Sequence, residues 1–196
     1  PSVGPKRGSH RTDFVDTETP SAMLRSLRAT APAALVPLAW SFAAAAHTAA
    51  LTPHAVLVGH VVMTAILIAF AGLSWREMQA DPVLQVWLGV VVAGIPVTIA
   101  GAYGVATGDA LGTHVAVFGW MLLPALALVP TARRAGSADG PDGRYALAAA
   151  LAGVGSIVFL LAALTGRSLA LPAIALVGAG QTLSIVVAVR DAEFAD

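Results

Sequence analysis

Four histidines are the residues of this chain best suited to chemistry: His47, His54, His60 and His114. Each lies within or beside a long stretch without charge, where a polar ring is costly and marks a candidate functional group. Imidazole is a ligand for haem iron, copper and zinc. The chain has no cysteine, which removes thiolate metal sites, iron–sulfur clusters and covalently attached haem. A b-type haem gripped by histidines on two helices, or a copper or zinc ion, is what such a set would hold.

The elements that must position these rings are read from the charge-free stretches. Residues 29–75, 82–108, 110–132, 145–166 and 168–189 contain no Asp, Glu, Lys or Arg. A spanning helix needs ~20 mostly apolar residues at 1.5 Å rise. The first stretch holds two such helices and each of the others one. The expected fold is therefore all-α, a polytopic membrane bundle of six transmembrane helices. The spans fall near 31–51, 53–74, 82–106, 110–130, 145–165 and 169–189. A polar tail (1–30) precedes this transmembrane domain (31–190), and a short tail (191–196) follows it. Within the first tail, residues 21–28 suit a short interfacial helix or a frayed linker. His10, the fifth histidine, also lies there.

Details of the pattern fix the ends. Pro53 is placed to start the second span after a tight connection. Trp75, followed by Arg76 and Glu77, closes it at an interface. Gly94, Pro96, Gly101 and Gly104 predict a kink and close helix contact in the third span. Pro130 is expected to end the fourth. A faint echo relates 53–60 to 172–179: both begin with Pro and carry Gly at the seventh place, but alanine stands at the two histidine positions in the second copy.

Basic residues set the expected orientation. With the N-terminus inside, Lys6, Arg7, Arg11, Arg25, Arg28, Arg76, Arg133, Arg134, Arg144 and Arg190 face the cytoplasm, and only Arg167 lies outside. That bias predicts cytoplasmic termini and the cell membrane as location. It also carries all four histidines to the outer third of the bilayer. His60, about 9 Å deeper than His54 at helical rise, matches His114 in depth, so these two are the expected ligand pair. His47 is the third candidate, and His54 suits a solvated or capping role. Met63 and Phe118 lie one turn below His60 and His114 and could wall a porphyrin. Asp109 could orient an imidazole or simply start a helix. The competing role for these histidines is an interhelical hydrogen bond, worth about 0.6–2 kcal/mol in a membrane.

Composition supports the membrane reading and narrows function. Of 196 residues, 57% are hydrophobic and 11% charged, with a mean hydropathy of +0.79; soluble domains carry roughly 25% charged residues. The net charge is zero, which gives no attraction to nucleic acid. Lys6 is the sole lysine, so no span can carry a retinal Schiff base. No span holds a charge, which argues against proton pumps and ion-coupled carriers. The HExxH, phosphate-loop and nucleophile-elbow motifs are absent.

Histidines on several short-looped spans resemble the arrangement in small membrane cytochromes of the b type, a likeness of helix count and histidine placement only. It implies a redox subunit exchanging electrons with quinol. The alternative is a cofactor-free scaffold or accessory subunit of a larger membrane complex. A channel or carrier for a neutral solute comes third, because Thr98, Tyr103 and Gln181 offer little polar path. Whether the chain is an enzyme is left open by these residues. Gln181 should face another helix, since a buried amide finds a partner. Trp87 and Trp120 suit packing or an interfacial belt. Small residues such as Gly89, Ala93, Gly94, Gly153 and Ser156 predict self-association or a place among other membrane subunits.

Overall fold

In the computed structural model the backbone is described for residues 20–135 and 143–193, and side chains for 34–134 and 143–191. Six α-helices fill these residues: α1 (Pro20–His47), α2 (Pro53–Gln79), α3 (Pro82–Thr107), α4 (Ala110–Ala135), α5 (Gly143–Thr165) and α6 (Ala170–Glu193). Helices α2 to α6 are each long and apolar enough to cross a membrane, and the part of α1 with described side chains, Ala34–His47, is a shorter apolar helix. By helix composition this is a multi-pass membrane protein with apolar faces for lipid. Residues 1–19, which include His10, lie outside the described part.

Local chemistry explains most helix ends. Thr52 accepts a hydrogen bond from the Ala55 N–H and Pro53 opens α2. Asp81 accepts from Val83 and Leu84 N–H ahead of Pro82. Asp109 caps α4, its carboxylate accepting from Leu111 and Gly112 N–H. These side chains satisfy donors that the first helical turn leaves open. Gly108 and Gly166, both at positive φ, follow α3 and α5, the usual left-handed exit.

Several ends differ from expectation: α1 stops at His47 rather than near 51, and α2 continues past Trp75 to Gln79. Helix α1 starts at Pro20, so 21–28 is continuous with the first span rather than a separate interfacial helix. Helix α4 runs through Pro130 to Ala135. Proline removes one donor and crowds the carbonyl four residues back, but a single such defect is tolerated in an apolar helix, and the turn beyond it carries Arg133 and Arg134.

Helices α2, α3, α4, α5 and α6 pack in sequence order, α4 also touches α6, and α1 packs on α6. Trp40 covers Gly178 of α6, whereas Phe42 presses on Gly59 of α2. Residues two apart lie ~200° round a helix, so α1 sits between α2 and α6. Gly59 and Gly178 are the matching glycines of the sequence echo, and each receives an aromatic ring from α1.

Two apolar clusters fill the interior. One joins Trp40, Met121, Phe159, Ala173, Ile174 and Val177. The other joins Ala125, Leu128, Ala148 and Ala152, with Trp87 and Leu183 against them. Glycine lets helices meet closely where they cross. A Cβ on Gly104 would come within 2.6 Å of Thr113 N and 2.7 Å of Asp109 O, so α3 and α4 meet backbone to backbone. Gly155 and Gly180 play the same part between α5 and α6. At the end of the bundle rich in arginine, the Tyr145 hydroxyl donates to Asp191 at 3.2 Å, and the Arg144 guanidinium stands 3.8 Å from the same carboxylate.

Candidate functional site

The antiparallel order of the helices puts His47, His54, His60 and His114 toward one end of the bundle. They do not share one cavity. His47 is the last residue of α1 and His54 the second of α2, and both are exposed. His60 is half-buried, with Nδ1 2.8 Å from the Val56 carbonyl one turn earlier. Its Nε2 edge rests against Gly101 of α3, and Ala116 of α4 closes on the same glycine.

His114 points elsewhere. Residues 114 and 116 lie ~200° apart round α4, so Ala116 faces the α3 seam and His114 the opposite side. There the imidazole approaches Phe159 of α5, ring centroids 6.5 Å apart and tilted by 46°. Its Nδ1 is 2.6 Å from the Ala110 carbonyl. His114, Val115, Phe118, Phe159, Leu160 and Ala163 line a cleft of about 150 Å³ between α4 and α5. Phe118, one turn beyond His114, is among the residues that line this cleft. Asp109 serves as helix cap, and the partner of the His114 Nδ1 is a backbone carbonyl.

Two consequences bear on ligation. A carbonyl oxygen only accepts, so each short Nδ1 contact requires the proton on Nδ1 of His60 and of His114. That fixes the ring and leaves Nε2 as the coordinating atom, the usual way a ligand histidine is oriented. Space then separates the two residues. Gly101 occupies the position in front of the His60 Nε2, with no room for a porphyrin. The His114 cleft is an open groove of about 150 Å³ on the outside of the bundle, where His114 is itself exposed. A haem clasped between this pair does not fit the helices as they are packed. Among the described residues no three His, Asp or Glu side chains gather into a metal-binding group.

The polar groups that do come together form a chain through the bundle centre. Trp40 Nε1 donates to Gln181 Oε1 at 3.0 Å. Gln181 Nε2 donates to the Trp120 carbonyl at 3.1 Å. Trp120 Nε1 donates to Thr98 Oγ1 at 3.0 Å, and Thr98 Oγ1 donates to the Gly94 carbonyl at 2.8 Å. Helices α1, α6, α4 and α3 are linked in turn. Gln181 has the interhelical partners expected of it. The role of Trp40 and Trp120 as donors was not read from the sequence. The signal was present as two indoles, an amide and a hydroxyl on otherwise apolar spans, but nothing in their spacing pairs them. Gly94 leaves the space into which the Trp120 ring fits. Tyr103 takes no part and faces outward, 62% exposed.

Compared with family models, with curated proteins and with solved structures, the chain matches none.

Proposed function

We propose that this protein is a cofactor-free scaffold or accessory subunit of a larger membrane assembly, spanning the cell membrane six times with both termini in the cytoplasm. The orientation rests on the ten-to-one bias of basic residues toward one side. The functional reading is carried by the chain of bonds from Trp40 through Gln181 and Trp120 to Thr98. A carrier sets its polar groups around a path. Here Thr98 and Gln181, two of the three residues able to line one, are bonded to tryptophans that fill the space between them, and Tyr103 faces away. What the bundle offers a partner is its outer surface. Gly89 of α3 and Gly153 of α5 have open space where a Cβ would stand, whereas Gly94 and Ser156 are used inside the bundle.

The test is purification from native membranes in mild detergent. A colourless protein that copurifies with other chains, or with itself, in fixed ratio supports the reading. A chain that stays alone in detergent and in crowded nanodiscs, or that makes liposomes permeable to a neutral solute, overturns it.

A second reading has one observation in its favour, the uncommitted Nε2 of His114. It is a redox subunit that takes electrons from quinol through copper held at His114, or through haem b once a shift of the helices brings His60 or His47 to it; zinc at the same histidine would be structural, since it carries no electrons. A Soret band, or one equivalent of metal per chain lost in His114→Ala, would establish it. Absence of both removes it.

A further inference from the structure

We propose that α4 carries a hinge at Pro124 and that the Gln181 side chain of α6 is its latch. This does not rest on the scaffold reading, because it concerns how one helix is held and not what the bundle binds. Pro124 lies inside α4 and is buried. Having no N–H, it cannot donate to the carbonyl four residues earlier, and its ring crowds that carbonyl. The residue four earlier is Trp120, and the Trp120 carbonyl is the one to which Gln181 Nε2 donates at 3.1 Å. A side chain of α6 thus supplies the donor that α4 lacks. Pro96 and Pro130 deprive the carbonyls of Val92 and Leu126 in the same way. Among the described residues neither of those carbonyls receives a side-chain donor; the hydroxyls nearest them bond the Gly94 and Ala127 carbonyls instead.

The amide is set for this task. An indole N–H only donates and a backbone carbonyl only accepts. Trp40 Nε1 donates to Gln181 Oε1 at 3.0 Å, which leaves Nε2 turned to Trp120. Trp120 is held from the other side too, since its ring fills the space at Gly94 and its Nε1 donates to Thr98 Oγ1. The point where α4 is short of a backbone bond is therefore tied to α6 and to α3. When the Gln181 bond opens, no N–H of residue 124 replaces it. The outer segment of α4, residues 110–123, which carries His114, is then free to bend about Pro124. Gln181 is a positioning residue for that segment.

The chain has no cysteine, so paired spin labels can be placed in the full chain in nanodiscs. Leu111→Cys at the start of α4 and Leu171→Cys at the start of α6, both exposed, report the distance between these ends. The labelled chain should give one narrow distance distribution. Gln181→Leu should broaden it and add a second population. Pro124→Ala in the same chain, which restores the backbone N–H, should make it narrow again. In reversible unfolding, Gln181→Leu should lower the folding constant roughly three- to twenty-fold more in the native background than in the Pro124→Ala background, the range of one interhelical hydrogen bond in a membrane. Val177→Ala, which removes buried volume from the same helix without touching this bond, should cost the same in both backgrounds. If Gln181→Leu alone does not fold, recovery of folding by Pro124→Ala supports the latch and failure to recover counts against it. A distribution that stays narrow in Gln181→Leu, a loss that Pro124→Ala does not repair, or an equal repair of Val177→Ala overturns the proposal.

Discussion

The Trp40 indole and the Gln181 carboxamide meet at 3.0 Å across 141 residues of sequence. This bond holds α1 to α6, and because Gln181 also donates to the Trp120 carbonyl, one amide joins three helices. Interhelical hydrogen bonds in membranes average about 0.6 kcal/mol and reach about 1.7. A double-mutant cycle of Trp40→Phe and Gln181→Leu should therefore give a coupling energy in that range, measured by reversible unfolding in mixed micelles. A coupling of zero would mean that the two groups do not bond in the bilayer.

The meeting of α3 and α4 should tolerate no added volume. Gly104→Ala places a methyl against Thr113 N and Asp109 O, backbone atoms that cannot swing aside, so a loss of about 1–3 kcal/mol is expected. Gly89→Ala meets nothing within 4 Å and should stabilise α3 by up to about 1 kcal/mol through helix propensity. The two alanine variants, compared in one unfolding assay, should move in opposite directions.

Open glycines make the assembly reading specific. Gly89→Leu or Gly153→Leu should weaken copurification while leaving the thermal midpoint of the chain nearly unchanged, since neither new side chain enters the bundle. An equal fall in both measurements would show these glycines serving the fold.

Ala49, in the connection between α1 and α2, has φ of 56°. A left-handed backbone brings Cβ close to the following carbonyl at a cost of roughly 1–2 kcal/mol. Ala49→Gly should recover about 1 kcal/mol of stability in the same assay, and a destabilised variant would rule out this conformation in the folded protein.

Arg133 and Arg134 are exposed at the end of α4. In sealed membrane vesicles of known sidedness, trypsin should cleave there from the cytoplasmic face alone. Cleavage only from the opposite face would reverse the orientation.

Sequence by itself determined the number of helices and, for α2 to α6, where they begin to within two residues. Charge-free length has one solution in a bilayer, because every backbone donor must find its acceptor within the segment. Pro53 and Asp109 marked helix starts through local chemistry that acts within one turn. The shared end of the four histidines also followed, since it depends only on alternating helix direction and short connections. Which side of a helix meets which neighbour is a different kind of fact. The apolar spans look alike all round, so no stripe announces an interior face, and angles near 100° per residue turn His114 away from the seam that Ala116 shares with Gly101. Only the tertiary structure separated His60 from His114. Only it joined Trp40, Gln181, Trp120 and Thr98, because the glycines that let these helices approach decide which rings and amides come within bonding distance.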